Sequence, residues 1–203
     1  ERIDSGYRSM MSVQSSLVMH PIHAYGTEAQ RQKFLPRLAT GEWIGCFGLT
    51  EPDHGSDPGG MVTRARKVSG GYSLTGSKMW ITNSLQADWM CMLVNTSEGA
   101  AHKNKSLIVV PMATPGISKA KKIRKIGMMS SDTGLIHFDD VRVPQRYRIG
   151  EEGFGFTYQM QQFQEERLWA AASSVQGLDR TINDTIEYVR ERKMFGQTVL
   201  DFQ

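Results

Sequence analysis

The sequence predicts an α+β fold in which a strand-rich domain stands between two helical segments. Three observations predict it. Residues 1–42 carry a helical pattern that closes on a glycine. Residues 43–150 break into short apolar runs separated by turn residues, and from residue 151 onward an apolar stripe returns at helical spacing. Of the 203 residues, 39% are hydrophobic and 22% charged, which suits a globular chain rather than a disordered one.

In the first segment, "SVQSSLVMH" is followed by Pro21. "TEAQRQKFLPRLAT" opens with Thr27 and has Gln30 three residues later, a capping-box pattern, and Gly41 closes that helix. In the middle segment "WIGCFGLT", "GYSLTGSKMWIT", "DWMCMLVN" and "KSLIVVPM" are short, apolar or alternating, and rich in strand formers. Turn signals at Ser69–Gly71, Thr75–Gly76 and Thr114–Gly116 separate strands too closely spaced for βαβ units, so a β-barrel or sandwich is expected. In the last segment Val175, Leu178, Ile182, Ile186 and Val189 recur at three and four residues. They predict a long amphipathic helix that stops near Phe195–Gly196, with another starting before the chain ends.

The totals exclude several functions. A formal charge of +3 is too slight to argue for nucleic acid, and no apolar run is long enough to span a bilayer. Cys46 and Cys91 each sit inside an apolar run, as buried inert thiols do, and the five scattered histidines have no metal-ligand spacing. The basic run "SKAKKIRKIG", Ser118 to Gly127, suits a solvated loop or edge-strand face, with contact to phosphates or DNA as the functional alternative. The chain opens on Glu1 and stops at Gln203 in mid-pattern, as an incomplete fragment would.

Two motifs carry candidate chemistry. In "FGLTEPDHGSD" a hydrophobic run stops at Thr50 and passes through Pro52, which has no N–H, to Gly55 and Ser56. Gly55 permits unusual dihedrals, and Gly55 and Ser56 offer donors suited to an anion; a plain strand and loop fits the same residues. In "KMWITNS", Trp80 and Thr82 lie two apart on a strand and so share a face, where an indole and a hydroxyl suit a planar ring. A core tryptophan beside a surface threonine fits equally.

Taken together, "GLTEPDHGSD" and "MWITN" closely resemble the acyl-CoA dehydrogenase flavoprotein family, and the likeness continues through "IGMMSSDTGLIHFDDVRVP", "GEEGFGF" and "RERKMFGQTVLDFQ". The resemblance implies the end of an N-terminal helical domain over 1–42, a central β-barrel domain over 43–150, and the start of a C-terminal four-helix bundle over 151–203. It implies flavin adenine dinucleotide (FAD) held by Phe47, Leu49, Thr50, Gly55, Ser56, Trp80, Ile81 and Thr82. Arg192, Phe195 and Gln203 match contacts to the adenosine diphosphate part in a neighbouring subunit, a role that suits a guanidinium against pyrophosphate. The implied partners are an acyl-CoA substrate, electron-transfer flavoprotein, and further copies in a dimer or tetramer. The implied compartment is the mitochondrial matrix in a eukaryote or the cytoplasm in a bacterium.

The same resemblance implies α,β-dehydrogenation of an acyl-CoA thioester: a carboxylate removes the α-proton while the β-hydrogen leaves as hydride to flavin N5. Most members of the family place the base on a late loop, outside this stretch of chain; a minority, the long-chain and isovaleryl types, place it just before the arginine of an "ERL" segment, and Glu166 of "QFQEERLWAAA" takes that position. Glu166, Ala170, Ser173 and Gly177 share one helix face, opposite the apolar stripe. A solvated, ion-paired glutamate is the plain alternative. Ser56, Thr157, Gln164, Glu165 and Arg167 are implied substrate contacts, although Thr157 stands where long-chain relatives carry an aromatic residue. Alternatives within the family are an oxidase using oxygen, a DNA-binding branch, and a non-catalytic relative.

Overall fold

A computed structural model describes residues 4–202. Residues 4–163 form one compact unit and residues 164–202 a second.

The first unit opens with one continuous helical run. Asp4 caps it by accepting a hydrogen bond from the Gly6 N–H. Helix α1 (Ser5–Ser12) passes into a π-helical stretch, Val13–Met19, and then into α2 (His20–Tyr25). Pro21 therefore does not end the helix. A proline removes one N–H and crowds the carbonyl one turn back, and the wider π turn just before it absorbs both. The π stretch buries Gln14, whose amide donates to the carbonyls of Leu38 (2.8 Å) and Trp43 (2.7 Å) and accepts from the Gly45 N–H (2.6 Å). One side chain thus ties the first helical run to the end of α3 (Glu28–Ala39) and to the first strand. Helix α3 has the expected reciprocal capping box between Thr27 and Gln30, and Gly41, just past its end, takes the left-handed φ of +76°.

Eight strands follow in one sheet: β1 (Gly45–Gly48), β2 (Arg64–Val68), β3 (Gly71–Thr82), β4 (Trp89–Asn95), β5 (Lys105–Pro111), β6 (Ile117–Lys122), β7 (Thr133–Pro144) and β8 (Arg148–Ile149). The order is β6-β7-β3-β2-β4-β5-β8, and β1 pairs with β4 in parallel. Strands β4 and β5 read as unbroken apolar runs because both of their faces are buried. Met90, Met92, Val94, Ile108 and Val110 face a core with Leu74, Ile136 and Phe138. Trp89, Cys91, Leu93, Leu107 and Val109 face a second core with Val18, Ile22, Phe34 and Leu38 of the helices. Cys46 and Cys91 are free and buried, one in each core, and burial raises both thiols, Cys91 to about 12. The basic run forms the exposed edge strand β6 and the loop after it.

The second unit holds the greater part of helix α4 (Gly155–Glu191) and a small hairpin, β9 (Lys193–Met194) with β10 (Gln197–Thr198). The helix stops at Glu191, earlier than Phe195–Gly196, because those two residues take φ of +51° and +85° in the hairpin turn. A single 3₁₀ turn, Val199–Asp201, stands in place of the further helix expected there. The predicted apolar stripe is helical but uncovered: Val175, Leu178 and Ile182 are all exposed. Among the described residues no helix is long and apolar enough to cross a membrane.

Candidate functional site

The motif at the end of β1 is shaped by an internal device that the sequence reading missed. After Thr50 the chain folds into a tight turn in which Glu51 and His54 exchange backbone hydrogen bonds of 3.1 and 3.2 Å. The Glu51 side chain is almost wholly buried. Its carboxylate accepts from the Val62 N–H (2.7 Å), from the Thr63 N–H (3.1 Å) and from the ammonium of Lys78 (2.9 Å). Lys78 is fully buried on β3, and its Nζ also donates to the Leu49 carbonyl at 2.9 Å. Next to it the Met79 N–H donates to the Thr50 carbonyl at 2.8 Å. The two sequence motifs are stitched together at this point.

Burial drives the Lys78 pKa down to about 8 against the pull of Glu51. Burial works to raise the Glu51 carboxyl, but Lys78, Thr63 and Val62 outweigh it and hold it below its ordinary value.

Immediately after Lys78 the pairing of β3 with β7 shifts register, between Lys78 and Ile81, and Trp80 adopts a left-handed φ of +63°. Strict alternation is lost there, so the two-residue spacing of Trp80 and Thr82 does not by itself put them on one face. Trp80, Ile81 and Thr82 nevertheless line one open cavity of about 170 Å³ with Phe47, Leu49 and Thr50 of the first motif. Val13 and Leu17 of the π stretch and Phe163 of α4 complete it, all within the first unit. The walls are apolar and aromatic, the indole of Trp80 is 55% exposed, and Thr50 and Thr82 contribute hydroxyls. Such a lining suits the flat ring of a flavin, with polar groups for its edge, and the volume suits a ring system rather than a whole dinucleotide.

Other expected residues lie elsewhere. Gly55 and Ser56 are exposed and do not line the cavity. A Cβ at Gly55 would meet only Thr50 Cγ2, at 3.8 Å, and its φ is not left-handed, so unusual dihedrals are not what glycine supplies here. Thr157 is exposed on the first turns of α4. In the second unit Gln164, Glu165 and Arg167 are exposed, whereas Glu166 between them is half-buried and burial raises its carboxyl, against Arg167. Arg192 and Phe195 are exposed around the hairpin, and Gln203 lies outside the described residues. A second, larger cleft of about 400 Å³ is lined by Arg64, Arg66, Lys67 and the Asn95–Glu98 turn. No group of three His, Cys, Asp or Glu able to hold a metal occurs among the described residues.

Lys78, Glu51, Val13, Leu17 and Phe163 are the members of this constellation that sequence reasoning passed over. For the first pair a signal existed: a lysine inside an apolar strand needs a buried acid, and the nearer motif carries Glu51.

The architecture recurs in solved structures. The crystal structure of acyl-CoA dehydrogenase from Geobacillus kaustophilus matches with a TM-score of 0.90 at 37% identity, covering 96% of this chain and 52% of that one. The FAD complex of PigA matches with a TM-score of 0.92 at 31% identity, covering 99% and 52%. These fix the class: an α+β protein with helices packed on a central sheet.

Sequence then narrows the class to one family. The acyl-CoA dehydrogenase N-terminal domain matches residues 1–42, its middle domain residues 46–141, and its C-terminal domain residues 153–203. The chain belongs to the acyl-CoA dehydrogenase family. The mitochondrial long-chain specific acyl-CoA dehydrogenase of Rattus norvegicus is 38% identical over 195 residues, which cover 95% of this chain and 45% of the relative. The chain thus spans about half the length of such a relative.

Proposed function

We propose that the intact protein dehydrogenates an acyl-CoA thioester between its α and β carbons, with FAD bound at the slot between β1 and β3 and Glu166 as the base. The observation that carries this reading is the convergence of Leu49–Thr50 and Trp80–Thr82 on one cavity. Bound there, FAD supplies the two-electron acceptor.

The chain's own residues do the rest. Phe47, Leu49 and Ile81 exclude water from the ring's surroundings, Trp80 offers an aromatic face, and the Thr50 and Thr82 hydroxyls orient a polar edge. Glu166 takes the α-proton on its carboxylate. Its half-buried setting, between exposed neighbours, supports a base more proton-avid than an ordinary glutamate. Ser56, Thr157, Gln164, Glu165 and Arg167 contact the substrate in this reading. Gly55 borders the cofactor, and Arg192, Phe195 and Gln203 reach the cofactor of a neighbouring copy. Electron-transfer flavoprotein reoxidises the flavin. The "EERL" segment aligns the protein with long-chain or branched-chain types.

The test uses the intact protein. It should purify yellow, and an acyl-CoA added without oxygen should bleach the flavin. Glu166→Gln should retain the flavin and lose bleaching by at least 10²-fold. A colourless wild-type protein overturns the cofactor assignment, and undiminished bleaching in Glu166→Gln overturns the base.

A further inference from the structure

We infer that the buried Glu51–Lys78 pair positions the flavin slot, so that both are positioning residues for the reaction. This rests on the slot being the flavin site.

Three observations carry it. First, the pair is fully satisfied. The three ammonium hydrogens of Lys78 find the Leu49 carbonyl, the Glu51 carboxylate and, at 3.8 Å, the Met61 sulfur. The carboxylate in turn holds two backbone N–H groups, so the pair ties 49–51 and 61–63 to β3 at Lys78. Second, it stands where the slot begins. Leu49 lines the cavity and its carbonyl is a Lys78 acceptor, while Thr50 lines the cavity and its carbonyl receives the Met79 N–H. Third, Trp80 follows directly, in a backbone region that a bulky residue holds only when its surroundings enforce it. It is more than half exposed, so its own packing does little to enforce that conformation. The register shift after Lys78 and the clamp on both neighbouring segments provide the enforcement.

Stability alone does not account for the pair. A buried ion pair is typically no more stabilising than apolar residues of the same shape, because desolvation offsets the attraction. Breaking one partner is costly, but removing both together is often harmless. A structural role and a positioning role therefore diverge in the double variant.

The experiment takes Lys78→Met, Glu51→Gln and the double variant in the intact protein. It measures the thermal midpoint, the Kd of the apoprotein for FAD, and the visible spectrum of bound flavin. Lys78→Met should melt well below wild type, and the double variant should recover most of that loss. Its Kd for FAD should nonetheless stay at least tenfold above wild type, with a shifted flavin absorption band. A double variant that melts, binds and absorbs like wild type shows the pair to be structural only and overturns the inference. Glu51→Asp keeps both charges and retracts the carboxylate by one methylene, so it remains informative if the double variant does not fold. A several-fold rise in its Kd for FAD supports positioning, and an unchanged Kd overturns it. Wild-type protein that binds no FAD removes the flavin assignment itself, and this inference with it.

Discussion

The backbone N–H of Met79 donates to the carbonyl of Thr50 at 2.8 Å, joining two chain segments that lie almost thirty positions apart. The proposed flavin slot depends on this junction. It sets Thr50 and Leu49 beside Trp80 and Thr82, and it lies one residue from the buried Lys78.

Trp80 separates binding from stability. Trp80→Gly accepts the left-handed φ without steric cost and removes a side chain that is more than half exposed. Its thermal midpoint in the intact protein should match or exceed wild type, while flavin binding weakens about fivefold, as expected for loss of an aromatic contact worth roughly 1 kcal/mol. A marked fall in midpoint would show that the indole supports the fold.

Gln14 should be among the costliest single polar positions outside the slot. Gln14→Ala leaves the Gly45 N–H and the Trp43 carbonyl without the Gln14 partner, while the Leu38 carbonyl keeps the Gly41 N–H at 3.3 Å. Orphaned buried groups cost about 1–3 kcal/mol each, so denaturant titration should show a loss of about 3 kcal/mol.

Thr27→Ala removes one arm of the capping box of α3. The expected loss is about 1 kcal/mol, read from the same titration, with flavin binding unchanged.

The carboxyl of Glu166, the proposed base, is raised by burial, so it is still protonated at a pH where an ordinary glutamate is ionised. The acid limb of kcat/KM against pH should lie above the ordinary glutamate value of 4.5, and Glu165→Gln should leave the limb where it is. A raised carboxyl favours the fold below its ordinary value, and that contribution is lost as pH rises through the folded value.

Glu51 runs the opposite way. Its carboxyl is held below its ordinary value, so the stability it contributes is present above that value and disappears as pH falls through the lower, folded one. Acid titration of the thermal midpoint should show a fall in this range that Glu51→Gln flattens.

Much of the fold was legible because it rests on local rules. The Thr27–Gln30 cap, the Gly41 stop and the apolar strands β4 and β5 are recorded in neighbouring residues, and the structure shows each of them. The helix end was misplaced by a few residues because Phe195 is an unusual occupant of a left-handed turn. Pro21 carried the ordinary signal of a helix stop, and the π turn that absorbs it left no pattern to find.

For the site, the motifs along the chain single out the candidates: the Phe47–Thr50 strand end, the Trp80–Thr82 run and Glu166 on a helix. That the first two share a cavity, and that a buried Glu51–Lys78 pair stands at the junction between them, is visible only in the folded chain. The difference is one of range. Periodicity and capping act between residues a few positions apart and are printed in the chain. The partner of a buried charge is chosen by desolvation across the packed sheet, and that exists only once the strands have met.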